Sequence, residues 1–186
     1  MNHIKKGGFI MGLDMYMYKT KKGNCKEFRR KILNIVKEYE KGAIKMNGHL
    51  LFINPQNYPD PLQELNPIAY WRKANHIHMW FSKIVLGNTG NKEKRVKGWV
   101  SQKQLTTLLQ HCKSVLDHCT TISGELVIDV SYCKKMFPAG FHILFGGLTD
   151  YDERFIDDIK NTIAQINSIL LTTDFEQEAI LYFAYY

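Results

Sequence analysis

The chain has 186 residues, of which 45% are hydrophobic, 12% aromatic and 23% charged. That balance suits one globular core and excludes collagen-like, disordered and disulfide-scaffold chains. With 25 Lys and Arg against 18 Asp and Glu the formal charge is +7, which raises the question of an anionic partner.

Residues 12–19 alternate Leu13, Met15 and Met17 with Asp14, Tyr16 and Tyr18, the period of a strand. Asn24 reads as the cap of a helix to about residue 41, with Phe28, Ile32, Ile35 or Val36 and Tyr39 on its inner side and Gly42 at its end. A short apolar run over 49–53 predicts a strand. Pro55, Pro59, Pro61 and Pro67 mark a loop. Asn66 as cap and Pro67 at the first helical position predict a helix over 67–86, stopped by Gly87. Residues 87–98 read as a basic turn or loop. Ser101 caps a further helix to about residue 119, with Leu105, Leu108, Cys112, Val115 and Cys119 along one stripe. Residues 126–132 and 141–145 are rich in branched and aromatic side chains and predict strands. Gly146-Gly147 turns the chain. Thr149 or Asp150 then caps an acidic helix to about residue 171, with Phe155, Ile159, Ile163, Ile166 and Leu170 inward. The aromatic end, 179–186, reads as a strand or a docking segment. The sum is an α+β fold: a single domain over 11–186, with a small, mainly antiparallel sheet packed with about four helices, and residues 1–10 as an N-terminal extension.

No stretch approaches the ~18 consecutive apolar residues of a membrane span, and the first ten residues hold too short an apolar run for a signal peptide. A cytoplasmic location and no membrane partner are expected. Cys25, Cys112, Cys119 and Cys133 form no C-x-x-C pair and read as small buried hydrophobes in a reducing compartment. His76 and His78 would point about 200° apart on a helix, and His111 and His118 would stand about 10 Å apart along the axis. Neither pair suits one ion, so no metal and no cofactor are expected.

The charge is uneven. Residues 1–60 carry 12 basic and 5 acidic side chains, residues 61–147 carry 11 and 5, and residues 148–186 carry 2 and 8. The runs Lys5-Lys6, Lys19-Thr20-Lys21-Lys22 and Arg29-Arg30-Lys31 are compatible with a polyanion surface. The favoured reading is that they are solvated faces whose field the acidic helix mutes by folding back onto them. With no RNA-recognition, zinc-finger or P-loop pattern, a long nucleic acid is not the expected partner.

On a helical wheel Tyr70, Ala74, Ile77, Phe81 and Ile84 form one stripe, and Trp71, Asn75, His78 and Ser82 a second about 110° away. An indole, an amide and an imidazole beside a core face are what a ligand pocket wall needs. The alternative is that they pack under a loop and satisfy backbone groups.

Three blocks, Gly12-Leu13-Asp14-Met15-Tyr16, then Tyr70-Trp71-Arg72-Lys73-Ala74-Asn75 with Ile77-His78 and Trp80-Phe81, then Phe145-Gly146-Gly147 with Thr149-Asp150-Tyr151-Asp152-Glu153, occur in that order. Together they resemble a family of small proteins encoded by phages, prophages and their bacterial hosts. Met11 aligns with the usual start of that family, and position 76 is often a small residue there, so the resemblance does not point to His76. The resemblance implies a counter-defence role: a non-enzymatic binder that sequesters a small phosphate-bearing ligand such as a signalling nucleotide. The ligand-binding candidates are Trp71, Arg72, Asn75, His78, Thr149, Asp150 and Tyr151. Arg72 and nearby lysines would take phosphate, Trp71 and Tyr151 would stack, and Asn75 and His78 would give polar specificity. Asp150 and Asp152 argue against an anion at the last helix's start, since carboxylates already use its dipole. The alternatives are a phosphodiesterase or other hydrolase with His78 as general base and Asp14 or Asp150 orienting it, and an interaction protein that buries Tyr182, Phe183, Tyr185 and Tyr186 against a partner or as a homo-oligomer.

Overall fold

The computed structural model describes residues 13–41, 44–46, 49–51, 60–86, 95–122, 125–138 and 150–185. The readings for residues 1–10, 87–94, 141–147, Thr149 and Tyr186 lie outside this range. In β1 (Asp14–Lys21) the alternation holds, but Met15 and Met17 on one side and Tyr16 and Tyr18 on the other are all buried. The strand therefore needs a core on each face. A 3-10 turn at Lys22–Asn24 leads into α1 (Cys25–Lys41). β2 (Ile44–Met46) and β3 (His49–Leu51) pair as a separate hairpin.

Residues 69–72 correct the expected helix. Asn66 takes a left-handed conformation, and β4 (Ala69–Arg72) pairs antiparallel with β1 from Met17↔Ala69 to Asp14↔Arg72. Tyr and Trp favour a pleated, half-buried surface, and Ala69 and Trp71 point to one core while Tyr70 faces the other. The helix begins only at Asn75, as α2 (Asn75–Leu86).

β5 (Arg95–Val100) takes in residues 95–98, which the sequence reading placed in a loop. α3 (Gln102–Asp117) starts as expected: Ser101 Oγ accepts from Gln104 N, and Gln104 Oε1 accepts from Ser101 N, a capping box. β6 (Cys119–Ile122) and β7 (Glu125–Ile128) form a second hairpin. The expected strand over 126–132 is cut short because Asp129 Oδ1 accepts from Tyr132 N and opens α4 (Val130–Met136). Asp152, rather than Thr149 or Asp150, caps α5 (Glu153–Thr172), accepting from Phe155 N at 3.1 Å. β8 (Glu178–Tyr185) closes the chain.

The four-stranded sheet is antiparallel with order β4-β1-β8-β5. The aromatic end is thus a central strand. Tyr182 and Phe183 are fully buried, so they present no docking surface. One face of the sheet packs Met15, Met17, Trp71, Val96, Ile180 and Tyr182 against α2, α3, α4 and α5. The other packs Tyr16, Tyr18, Leu181 and Phe183 against Ile32 and Val36 of α1 and against Leu62. The result is a single α+β domain in which acidic α5 and basic α1 lie on opposite faces of the sheet. The acidic helix meets the basic part of the chain at Lys19, whose Nζ donates to Thr172 O at 2.9 Å, but not at α1. Among the described residues no helix is long and apolar enough to cross a membrane.

Candidate functional site

The site forms where β4 ends and α2 begins. Arg72 is paired in register with Asp14 of β1, and Lys73 N donates to Leu13 O at 2.8 Å. Lys73 itself sits at φ 60, a left-handed conformation uncommon for a side chain with Cβ and costing about 1 kcal/mol. Asn75 N donates to Lys73 O at 2.8 Å. Within five residues the chain thus passes from exposed Arg72 and Lys73 to buried Asn75 and His76.

The start of α5 lies across this corner. The His76 ring is 4.6 Å from that of Tyr151 and 4.8 Å from that of Phe155, and Tyr151 OH donates to Phe137 O at 2.8 Å. Between the two walls is a cleft of about 360 Å³. Arg72, Lys73, Asn75 and His76 line one wall; Asp150, Asp152, Arg154, Phe155, Asp157 and Asp158 line the other.

Four carboxylates face three cations there. Asp152 is committed to the cap, so α5 does not offer a free N-terminus to an anion. The cationic side chains of the cleft are Arg72, Lys73 and Arg154, groups whose guanidinium and ammonium N–H can make charge-assisted bonds to an anion. Burial, and then the charges of Asp157 and Asp152, push Asp158 up to about 6. The carboxylates accept hydrogen bonds only, so they suit the N–H edge of a ligand whose other end is anionic.

Of the residues expected from the sequence, Arg72, Asn75 and Asp150 line the cleft, and Tyr151 lies behind His76. Trp71 and His78 do not line it. Trp71 is 2% exposed, its Nε1 donates to Thr162 Oγ1 at 2.9 Å, and its ring packs 5.9 Å from Phe81. It offers no stacking face to a ligand. His78 is fully buried, with Nδ1 sharing a hydrogen bond with Tyr182 OH at 2.9 Å and Nε2 one with Ser82 Oγ at 3.2 Å. It is a core histidine.

Asp14 lies on the other sheet face, where Tyr70 OH donates to its Oδ1 at 2.5 Å and burial raises its pKa. The sheet therefore separates Asp14 from His78, and the two form no acid–base pair. Beside Asp14, Tyr16 OH donates to Asp60 and Tyr18 OH donates to Leu62 O at 2.9 Å. These bonds tie the 60–62 segment to the sheet. Thr149 lies outside the described residues.

Lys73, one of the lysines expected near Arg72, lines it too, while His76, Arg154, Asp157 and Asp158 complete the cleft without having been singled out by sequence. The 154, 157, 158 spacing, which puts three charges on one helical face, is the signal that marks them. Among the described residues no three His, Cys, Asp or Glu side chains converge as a metal-ligand set. Compared with known proteins, the chain matches no family model, and no curated protein or solved structure matches it.

Proposed function

We propose that this cleft binds a small, phosphate-bearing ligand of the signalling-nucleotide type and holds it without turnover. We further propose that the chain belongs to the phage- and prophage-encoded group it resembles, in which such a binder sequesters a host defence signal. The observation that carries the reading is the convergence of Arg72, Lys73 and Asn75 with the first turns of α5 on one cleft. Its volume falls within the usual ~300–1,000 Å³ of small-molecule sites. Turnover with His78 as base finds no support, because that imidazole is buried in the core.

The test is native mass spectrometry of protein purified directly from cells, followed by calorimetric titration with cyclic and ADP-ribose-type nucleotides. The reading expects stoichiometric binding, with the ligand recovered intact and affinity lost in Arg72→Ala. Recovery of a cleaved ligand, or equal affinity in Arg72→Ala, rejects it.

A further inference from the structure

The side of the sheet that carries α1 is rich in cations. Residues 19–41 carry nine cations against three carboxylates. Lys21, Lys22, Lys26, Arg29, Arg30, Lys31, Lys37 and Lys41 are all exposed. Among the described residues the ion pairs are Lys19–Glu178 at 3.2 Å, Lys41–Glu38 at 2.7 Å and Lys160–Asp157 at 4.0 Å. None joins α1 to α5, which lies across the sheet.

The cations are also ordered. At ~100° per residue, Lys26, Arg30, Lys37 and Lys41 fall within about 60° of one another, opposite the buried Ile32 and Val36. They form a stripe about 22 Å long at 1.5 Å per residue. Beside it runs a groove of about 480 Å³ lined by Thr20, Asn24, Phe28, Arg30, Lys31 and Asn34, with a single carboxylate, Glu27, among them. Amide and hydroxyl donors beside a row of cations are what a chain of phosphates takes.

We propose that the outer side of α1 binds the phosphate backbone of a nucleic acid, independently of the cleft. An anionic bilayer is the weaker match. Among the described residues the exposed large hydrophobics, Ile122, Leu126, Val127, Val130 and Leu171, belong to β6, β7, α4 and α5 rather than to α1, and an interfacial helix needs apolar side chains to insert. The backbone reading also carries a salt signature: affinity falls with log[salt] with a slope set by the number of phosphates neutralised.

The experiment is fluorescence anisotropy of the full chain with a labelled single strand and a duplex of about 20 nucleotides, from about 50 to 200 mM salt. Lys26→Glu/Arg30→Glu is compared with a variant of equal charge change on the opposite side, Lys134→Glu/Lys135→Glu in α4, with circular dichroism confirming that both fold. The expected result is salt-dependent binding that drops at least about 10-fold in the α1 variant and less than about 3-fold in the α4 variant. Absence of binding near 50 mM salt, equal losses in the two variants, or capture by phosphatidylserine vesicles with no nucleic-acid binding each overturns the proposal. Nucleotide binding in the cleft is read separately, so either site can fail without the other.

Discussion

The side-chain amide of Gln165 hydrogen-bonds both backbone groups of Tyr70: Tyr70 N donates to Oε1 at 2.6 Å, and Nε2 donates to Tyr70 O at 3.1 Å. β4 is an edge strand, and edge strands leave N–H and C=O groups unpaired. A residue of α5 thus completes the ladder in place of a further strand. It also ties α5 to β4, the elements that carry the two walls of the cleft.

Gln165→Ala should therefore destabilise the domain by about 1–3 kcal/mol, since each lost bond is worth ~0.5–1.5 kcal/mol. The urea midpoint reads this directly. A second readout is ligand affinity in the cleft, which should weaken although Gln165 does not line it. An unchanged midpoint would show that the amide pair contributes nothing net.

Arg72 and His78 should separate cleanly. Arg72 is exposed, so Arg72→Ala should leave stability within about 0.5 kcal/mol while weakening binding of a phosphate-bearing ligand roughly 10-fold. His78→Ala removes two hydrogen bonds from the core and opens a cavity, at a cost on the order of 2–4 kcal/mol. Its affinity per folded molecule should be unchanged. Paired denaturation and titration curves check both, and a stable His78→Ala variant with lost affinity would reverse the roles.

Asp158 predicts a pH dependence with a definite sign. Burial comes first among the causes that raise its pKa from 3.8 to about 6, followed by Asp157 and Asp152. A folded-state carboxyl that holds its proton more tightly than the unfolded chain stabilises the fold at low pH. That stability is lost as pH rises through the window from about 4 to about 6. Asp158→Asn should flatten this part of the stability profile. Denaturant midpoints taken at steps between pH 4 and 7 would show whether the wild-type and variant curves diverge upward in pH as expected. Asp14, whose pKa burial also raises, contributes with the same sign, and the Asn variant isolates the Asp158 share.

The elements legible in the sequence are those decided by local signals. The 12–19 alternation, the Ser101 cap, and the inward Phe155, Ile159 and Ile166 of α5 each need only a few neighbouring residues. β4 is not of that kind. Tyr70, Ala74, Ile77 and Phe81 fit a helical wheel, yet Tyr70 belongs to a strand because it pairs with Tyr16, far upstream in the chain. No local period carries that information. The same limit governs the site. Arg72, Asn75 and Asp150 flank element ends and are readable as candidates. Trp71 and His78 have the side-chain types of a pocket wall but point into the core. Which face of the sheet receives Asp14, and which receives α5 rather than α1, is fixed by tertiary packing alone.

Gly98 shows the same dependence on packing, and it gives a test of how α2 sits on β5. A Cβ built on Gly98 would collide with Val85 Cγ1 and lie 3.2 Å from its Cβ and 3.3 Å from its Cγ2. Val is stiff at χ1, so rotation cannot clear all three contacts, and either α2 or the strand must shift. Gly98→Ala should cost about 1–3 kcal/mol, as overpacking in a core does. Removing the obstructing methyls changes the arithmetic: in Val85→Ala/Gly98→Ala the new methyl occupies space that the valine vacates. The double variant should therefore be more stable than the sum of the two single losses by about 1 kcal/mol or more. Urea denaturation of the wild type, both single variants and the double variant measures that coupling. Additive losses would mean that Val85 does not press on Gly98.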